Sequence, residues 1–131
     1  MQAEKPPIKI AVGKATPEEI PLVLDIYRKR KADTWRVGCD NTYVARNAPG
    51  IVVGAVTFFE TGPMTANIHS VGVDPAFEGK GVGKQLFKGV IEDLKNNGYR
   101  VIVVAYQNKN QWFYEKFGFK ERNPSEMVLE L

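Results

Sequence analysis

Val73-Asp74-Pro75-Ala76-Phe77-Glu78-Gly79-Lys80-Gly81-Val82-Gly83-Lys84 is the stretch on which the reading of this chain turns. It joins an apolar strand to an amphipathic helix. Gly79, Gly81 and Gly83 alternate with other residues just where the helix should begin. Glycine lets main-chain N–H groups turn inward and lets a ligand approach the backbone closely. A helix N-terminus adds unpaired N–H donors and a partial positive charge. Together these predict an anion site, most naturally for a phosphate or pyrophosphate. Two common owners of such loops fail on spacing. The Walker pattern needs four residues between its glycine and its Gly-Lys, then Ser or Thr. Gly79 and Gly83 enclose three, and Gln85 follows Lys84. The dinucleotide pattern G-x-G-x-x-G fails because Lys84 and Leu86 stand where its last glycine would fall.

Outward from the loop, the chain alternates helices and strands. Upstream, Thr65–Val73 reads as the strand that feeds it. Downstream, Leu86, Phe87, Val90, Ile91 and Leu94 recur at helical spacing between Gly83 and Asn97, and Asn97-Gly98 ends that helix. Arg100–Tyr106 is a nearly continuous apolar strand, expected inside the sheet. Gln107–Phe117 is expected as a short aromatic helix stopped by Gly118. Phe119–Glu121 and Met127–Leu131 read as a closing strand or hairpin around Asn123-Pro124.

On the other side, Ile8–Val12 alternates as a first strand would. Thr16-Pro17-Glu18-Glu19 is a helix start, with Thr16 placed to cap and Glu19 to complete a capping box. Ile20, Val23, Leu24 and Tyr27 then share a face, and Arg28-Lys29-Arg30-Lys31 ends the helix. Lys31–Asn41 has no period. Thr42–Arg46 and Ile51–Phe59 read as a hairpin turned at Asn47-Ala48-Pro49-Gly50. The expected order is β-α-β-β-β-α-β-α-β, an α/β (α+β) domain over residues 8–131 behind a flexible tail, 1–7.

The totals narrow the function classes. The length of 131 residues suits one domain, and 44% hydrophobic with 25% charged residues suits a packed soluble fold. No apolar run is long enough to span a bilayer, and the first residues lack an apolar signal core. Cys39 is the only cysteine, so no internal disulfide is possible and a reducing cytoplasm is expected. A net charge of +3 fits an anionic cofactor but is too small and dispersed for nucleic acid. No metal site is expected.

Strand, V-x-P, x-G-x-G-x-G and helix together resemble the acetyl-CoA loop of the GNAT superfamily of N-acetyltransferases. The expected element order is similar to the compact GNAT fold end to end, a mixed, mostly antiparallel sheet flanked by helices. The hairpin Y-V-A-R-N-A-P-G-I-V-V-G-A-V, with Gly54, resembles the family's second and third strands. I-H-S-V-G-V-D-P-A-F-E-G-K-G-V-G-K resembles its cofactor signature, and F-Y-E-K-F-G-F at 113–119 its C-terminal signature. Two positions depart from the pattern. Glu78 stands where the family usually has Gln or Arg. Gln107 stands where it often has an Asn seven residues before the tyrosine, with Asn108 and Asn110 as adjacent candidates.

The resemblance implies acetyl-CoA as cosubstrate and a primary amine, on a small molecule or a protein, as acceptor. It implies that Gly79, Lys80, Gly81, Val82, Gly83 and Lys84 hold the pyrophosphate beside Glu78. It implies that main-chain groups of Val71 and Val73 pair with the pantetheine arm, with an N–H near Val71 as oxyanion donor. Gly72 would allow the bulge that splays this strand from the next. Tyr114 is the expected general acid, since a phenol of pKa near ~10 keeps its proton at neutral pH. For the base, His69 shares a strand face with Asn67. Glu60 and ordered water are the alternatives. A short Lys31–Asn41 loop suggests an open acceptor side, which Trp35, Asp33, Asp40 and Glu60 are candidates to line. A monomer or a homodimer through the final strand is compatible with the pattern. A non-catalytic acyl-CoA-binding module and an unrelated phosphate-binding domain are the competing readings.

Overall fold

The computed structural model describes residues 7–106 and 108–131, the Asn108 side chain excepted. The tail expected over 1–7 therefore lies outside the described residues apart from Pro7. The elements run β1 (Ala11–Lys14), α1 (Ile20–Lys29), β2 (Thr42–Arg46), β3 (Val52–Gly62), β4 (Thr65–Val73), α2 (Val82–Asn96), β5 (Val101–Ala105), α3 (Gln111–Glu115), β6 (Lys120–Asn123) and β7 (Glu126–Glu130). They form one seven-stranded sheet in the order β1-β2-β3-β4-β5-β7-β6. Every pairing is antiparallel except β4 with β5. A parallel pair needs a crossover, and α2 supplies it.

The helices cover opposite faces. A Cβ on Gly54 would meet Val82 and Leu86 of α2 at 3.2 Å, while the next residue, Ala55, packs with Val23 and Ile26 of α1. Neighbouring strand residues point to opposite faces, so α1 and α2 sandwich the sheet. On the α2 face Phe87 anchors the aromatic segment. Its ring lies 5.5 Å from Phe113, 5.6 Å from Tyr114 and 5.5 Å from Phe117. Burying side chains of this size is worth roughly 1.5–3 kcal/mol each, which holds so short a helix as α3 in place. On the α1 face the buried hydroxyls form a chain. Tyr27 Oη meets Thr57 Oγ1 at 2.9 Å, and Thr57 Oγ1 meets Thr42 Oγ1 at 2.9 Å. Each buried oxygen thus has a partner, and α1 is tied to β2 and β3.

Four expectations are corrected. The first strand begins at Ala11 rather than Ile8, because Ile8 and Ile10 bond to the Gln85 side chain instead of a neighbouring strand. The aromatic helix is shorter than 107–117: a 3₁₀ turn, Asn108–Asn110, precedes α3. At the C-terminus the dimer edge is what is corrected: of the closing strand or hairpin expected there, the hairpin is found, as β6 and β7. The last of them lies between β5 and β6, so the final strand has no free edge through which a dimer could pair. The bulge falls three residues before Gly72. Thr57 pairs with Ser70 but Phe58 with Ile68, so His69 is the extra residue. Gly72 answers a different need: a Cβ there would press on Ile26 and Tyr27 of α1 at 3.2 and 3.3 Å.

The start of α1 is fixed by Glu19. Its carboxylate accepts from Thr16 N–H at 2.9 Å and from two Arg46 nitrogens at 2.6 and 2.7 Å. The Arg46 hydrogen bonds, ahead of the backbone contact at Thr16, lower its pKa to about 2. A depressed carboxylate contributes stability above its unfolded value near ~4.3 and loses it as pH falls towards its folded value. Glu19→Gln is therefore expected to cost about 2 kcal/mol at pH 7, in line with charge-assisted hydrogen bonds. In urea unfolding that gap should close as pH falls from about 4.5 to about 2. A gap constant over this range would rule the ion pair out as its source.

Candidate active site

Strands β4 and β5 pair only from Thr65 with Val101 to Ile68 with Val104. Past the His69 bulge, β4 continues along β3 but leaves β5. Asp74 N–H donates to Val53 O at 2.9 Å, so Gly72 and Asp74 direct their backbone groups towards β3. Alternation then turns the N–H and C=O groups of Val71 and Val73 to the vacated edge. Arg30 confirms the direction, since its Nε donates to Val73 O at 2.8 Å.

The glycine loop closes one end of this opening. Pro75–Phe77 form a 3₁₀ turn in which Asp74 Oδ1 accepts from Ala76 N–H at 3.0 Å. Gly79 and Gly81 have φ of 78° and 77°, a left-handed backbone that favours glycine. Helix α2 starts at Val82, leaving the first-turn N–H groups of Val82, Gly83 and Lys84 without partners inside the helix. The N-terminal segment straps the loop from behind. Ile8 N–H donates to Lys80 O at 3.0 Å, and Gln85 Nε2 donates to Ile8 O at 2.6 Å. Ile10 N–H returns a bond to Gln85 Oε1 at 3.2 Å.

Between the loop, the β4 edge and α3 runs a groove of ≈ 510 Å³. Val71, Gly72, Val73, Glu78, Gly79, Gly81, Val82, Gly83, Lys84 and Asn110 all line it. Lys80 does not: its ammonium sits 5.3 Å over the Phe77 ring. Glu78 turns towards Arg30, Oε2 to Nη2 at 3.4 Å, so its charge is offset by a cation at the groove's rim. Beyond Val71 and Asn110, a second cavity of ≈ 410 Å³ occupies the wedge between the splayed strands. Tyr114, His69, Asp33 and Lys109 line it. The buried Tyr114 ring enters this wedge, and burial pushes its phenol above the usual range. The proton is thereby held on the oxygen at neutral pH. His69 Nε2 lies 2.9 Å from Asp33 Oδ2.

Of the residues singled out in the sequence, the structure places the loop glycines, Val71 and Val73 along the groove and Tyr114 and His69 along the wedge. Asn110 joins them, whereas Gln107 and the Asn108 side chain lie outside the described residues. Glu60 does not join them: it interacts with Tyr99 and pairs with Ala66, towards the opposite end of the strands. Asp40 is also away from the wedge, where its carbonyl accepts from Lys14 Nζ at 2.5 Å. Arg30 was hidden in a basic cluster that reads as a solvated helix end. The signal for it is the stripe Val23, Tyr27, Arg30, which continues the buried face by one more turn. A third cavity, ≈ 410 Å³ between β1 and α2, is lined by Lys14, Tyr43 and Asp93. Tyr43 Oη donates to Asp93, so these polar groups serve the packing there. Among the described residues no cluster of His, Cys, Asp or Glu is placed to hold a metal, and no helix is long and apolar enough to cross a membrane.

A family model described as the acetyltransferase (GNAT) domain matches residues 38–121, and the chain belongs to that family. It is 40% identical over 60 residues, 44% of its length, to an uncharacterized N-acetyltransferase of Methanocaldococcus jannaschii, of which it covers 26%. It is 31% identical over 109 residues, 79% of its length, to a mycothiol acetyltransferase of Propionibacterium freudenreichii, of which it covers 35%. The chain thus spans about a third or less of these two relatives. Among solved structures, Rv2747 of Mycobacterium tuberculosis, determined in complex with CoA, superposes with a TM-score of 0.81 at 17% identity. That match covers 92% of this chain and 99% of the other, and it extends the fold likeness to nearly every described element.

Proposed function

We propose that this chain is an acetyl-CoA-dependent N-acetyltransferase that passes the acetyl group directly to a primary amine. The observation that carries the reading is the vacated β4 edge, running from the glycine loop into a wedge that contains Tyr114. The groove suits the cofactor. A Cβ on Gly83 would stand 3.7 Å from both Val73 and Phe113, so glycine keeps the passage between strand and α3 open. Bound acetyl-CoA would supply an activated thioester carbonyl.

The chain's own groups account for the remaining requirements. First-turn N–H groups of α2, with Gly79, Gly81 and Lys84, offer donors and positive charge to a pyrophosphate. Val71 and Val73 offer a strand edge to an extended amide-bearing arm. The Val71 N–H is the donor for the carbonyl oxygen as negative charge develops on it. Tyr114 gives its proton to the departing sulfur, and His69, facing the same wedge, takes the proton that an ammonium must lose before attack. The open loop between α1 and β2, with only the 3₁₀ turn Cys39–Asn41, leaves the acceptor side accessible to a small molecule or a protein amine.

Acetyl-CoA at 100 times its Kd should stabilise the folded chain by about 2.7 kcal/mol, raising Tm by roughly 10 °C. No shift with acetyl-CoA, against a clear one with ATP or NAD, would sink the family's cofactor for this chain. Thiol release from acetyl-CoA against amines, amino acids and lysine peptides separates an enzyme from a binding module.

A further inference from the structure

We propose that Asp33 is the positioning residue of the acetyl transfer: it fixes the His69 imidazole as the Nε2–H tautomer, leaving Nδ1 as the atom that takes the acceptor's proton. This rests on the acetyltransferase reading above. Asp33 lies in the aperiodic loop after α1, yet three bonds converge on it. Its Oδ2 faces His69 Nε2 at 2.9 Å. Its Oδ1 accepts from Trp35 N–H at 2.8 Å. Its carbonyl accepts from Ser70 Oγ at 2.6 Å. The loop is thus clipped to both residues of the β4 bulge, His69 and Ser70.

The clip also locates the ring. Phe59 meets the imidazole edge-on at 5.1 Å between centroids, and the ring of Trp35, itself exposed, lies at 6.1 Å. An imidazole so held has few orientations left. The Trp35 N–H, and after it His69, holds the Asp33 carboxyl below its usual pKa. An ionised carboxylate only accepts hydrogen bonds, so the nitrogen facing it carries the hydrogen. The other nitrogen, Nδ1, then has a free lone pair. When the acceptor's ammonium gives a proton to Nδ1, the ring becomes an imidazolium whose Nε2–H still rests on Asp33, and the amine lone pair is free to attack. The second amine proton replaces the one Tyr114 delivers to sulfur. The imidazolium returns its proton to solvent, so the chain ends the cycle unchanged. A histidine whose tautomer is fixed by a carboxylate is an established way of holding a base in register.

His69 is the only histidine, so the imidazole nitrogens of a ¹⁵N-histidine-labelled sample belong to it alone. The neutral ring in the native protein should show a protonated Nε2 and a bare Nδ1. In Asp33→Asn the amide can keep the Trp35 bond with its oxygen while presenting NH₂ to the ring, so the population should move towards Nδ1–H. With a working amine, kcat of Asp33→Asn should fall roughly 10- to 100-fold, while KM for acetyl-CoA and its thermal shift stay within about twofold of native. His69→Gln should fall at least as far, and Asp33→Asn should cost nothing further in that background. A native ring in the Nδ1–H form, an unchanged kcat, or an additive double variant would overturn the assignment. If the tautomer is as expected but no amine is acetylated, the transfer reading fails, and with it the proton-accepting role, while the pairing stands.

Discussion

Tyr114→Phe is expected to lower kcat roughly 100-fold while leaving acetyl-CoA binding and its thermal shift nearly unchanged. The ring is buried against Phe87 at 5.6 Å and Phe119 at 5.8 Å, and Phe keeps those contacts. What is lost is one hydroxyl at the wall of the wedge. General acids contribute about 10²–10⁴-fold, and the lower end applies here because a thiolate, with a pKa near ~8.5, leaves without much help. The loss should appear in kcat and kcat/KM together, since the interaction forms only as sulfur departs. Equal activity would remove Tyr114 from the chemistry. A fall in Tm of the unliganded chain by more than a few degrees would instead mark the hydroxyl as structural.

Gly83→Leu should abolish the cofactor response altogether. Residue 83 lies in the first turn of α2, where leucine is a better helix former than glycine. A Cβ there meets its nearest neighbours at ordinary contact distance, 3.7 Å, so the backbone has no reason to move. The rest of the leucine must stand in the groove between Val73 and Phe113. The free chain should be as stable as native or slightly more so, while the Kd for acetyl-CoA rises at least 100-fold, or about 2.7 kcal/mol by the affinity relation. Calorimetric titration checks this directly. Tight binding in a folded Gly83→Leu chain would place the cofactor elsewhere.

Local chemistry made part of this molecule readable from its sequence. Gly79 and Gly81 had to be glycine because the backbone turns left-handed there, and a helix must start where that turn ends. The periodic run from Leu86 to Leu94 placed α2 to within a residue or so of its ends. Features decided by pairing partners were not readable. A bulge belongs to two strands at once, so the mismatch that makes His69 the extra residue is written in its register with Thr57 and Phe58. Gly72 carried the residue type expected of a bulge, yet it is small because α1 passes close above it. Ile8 to Ile10 alternates like a strand but is claimed by a glutamine side chain. Asp33 was a candidate for the acceptor side, but its pairing with His69 had no signal, since a loop without a period gives no face to read.

The glutamine strap has a thermodynamic side. A loop with two left-handed glycines would, left alone, lose much conformational freedom on gripping an anion, at about 1–2 kcal/mol per backbone residue fixed. The bonds among Ile8, Ile10, Lys80 and Gln85 hold the loop between its two left-handed glycines and the first turn of α2 before any ligand arrives. Much of the ordering cost is thereby charged to folding of the chain rather than to association. The proposed cofactor cradle is preorganised in this way, and its affinity should depend partly on the first few described residues.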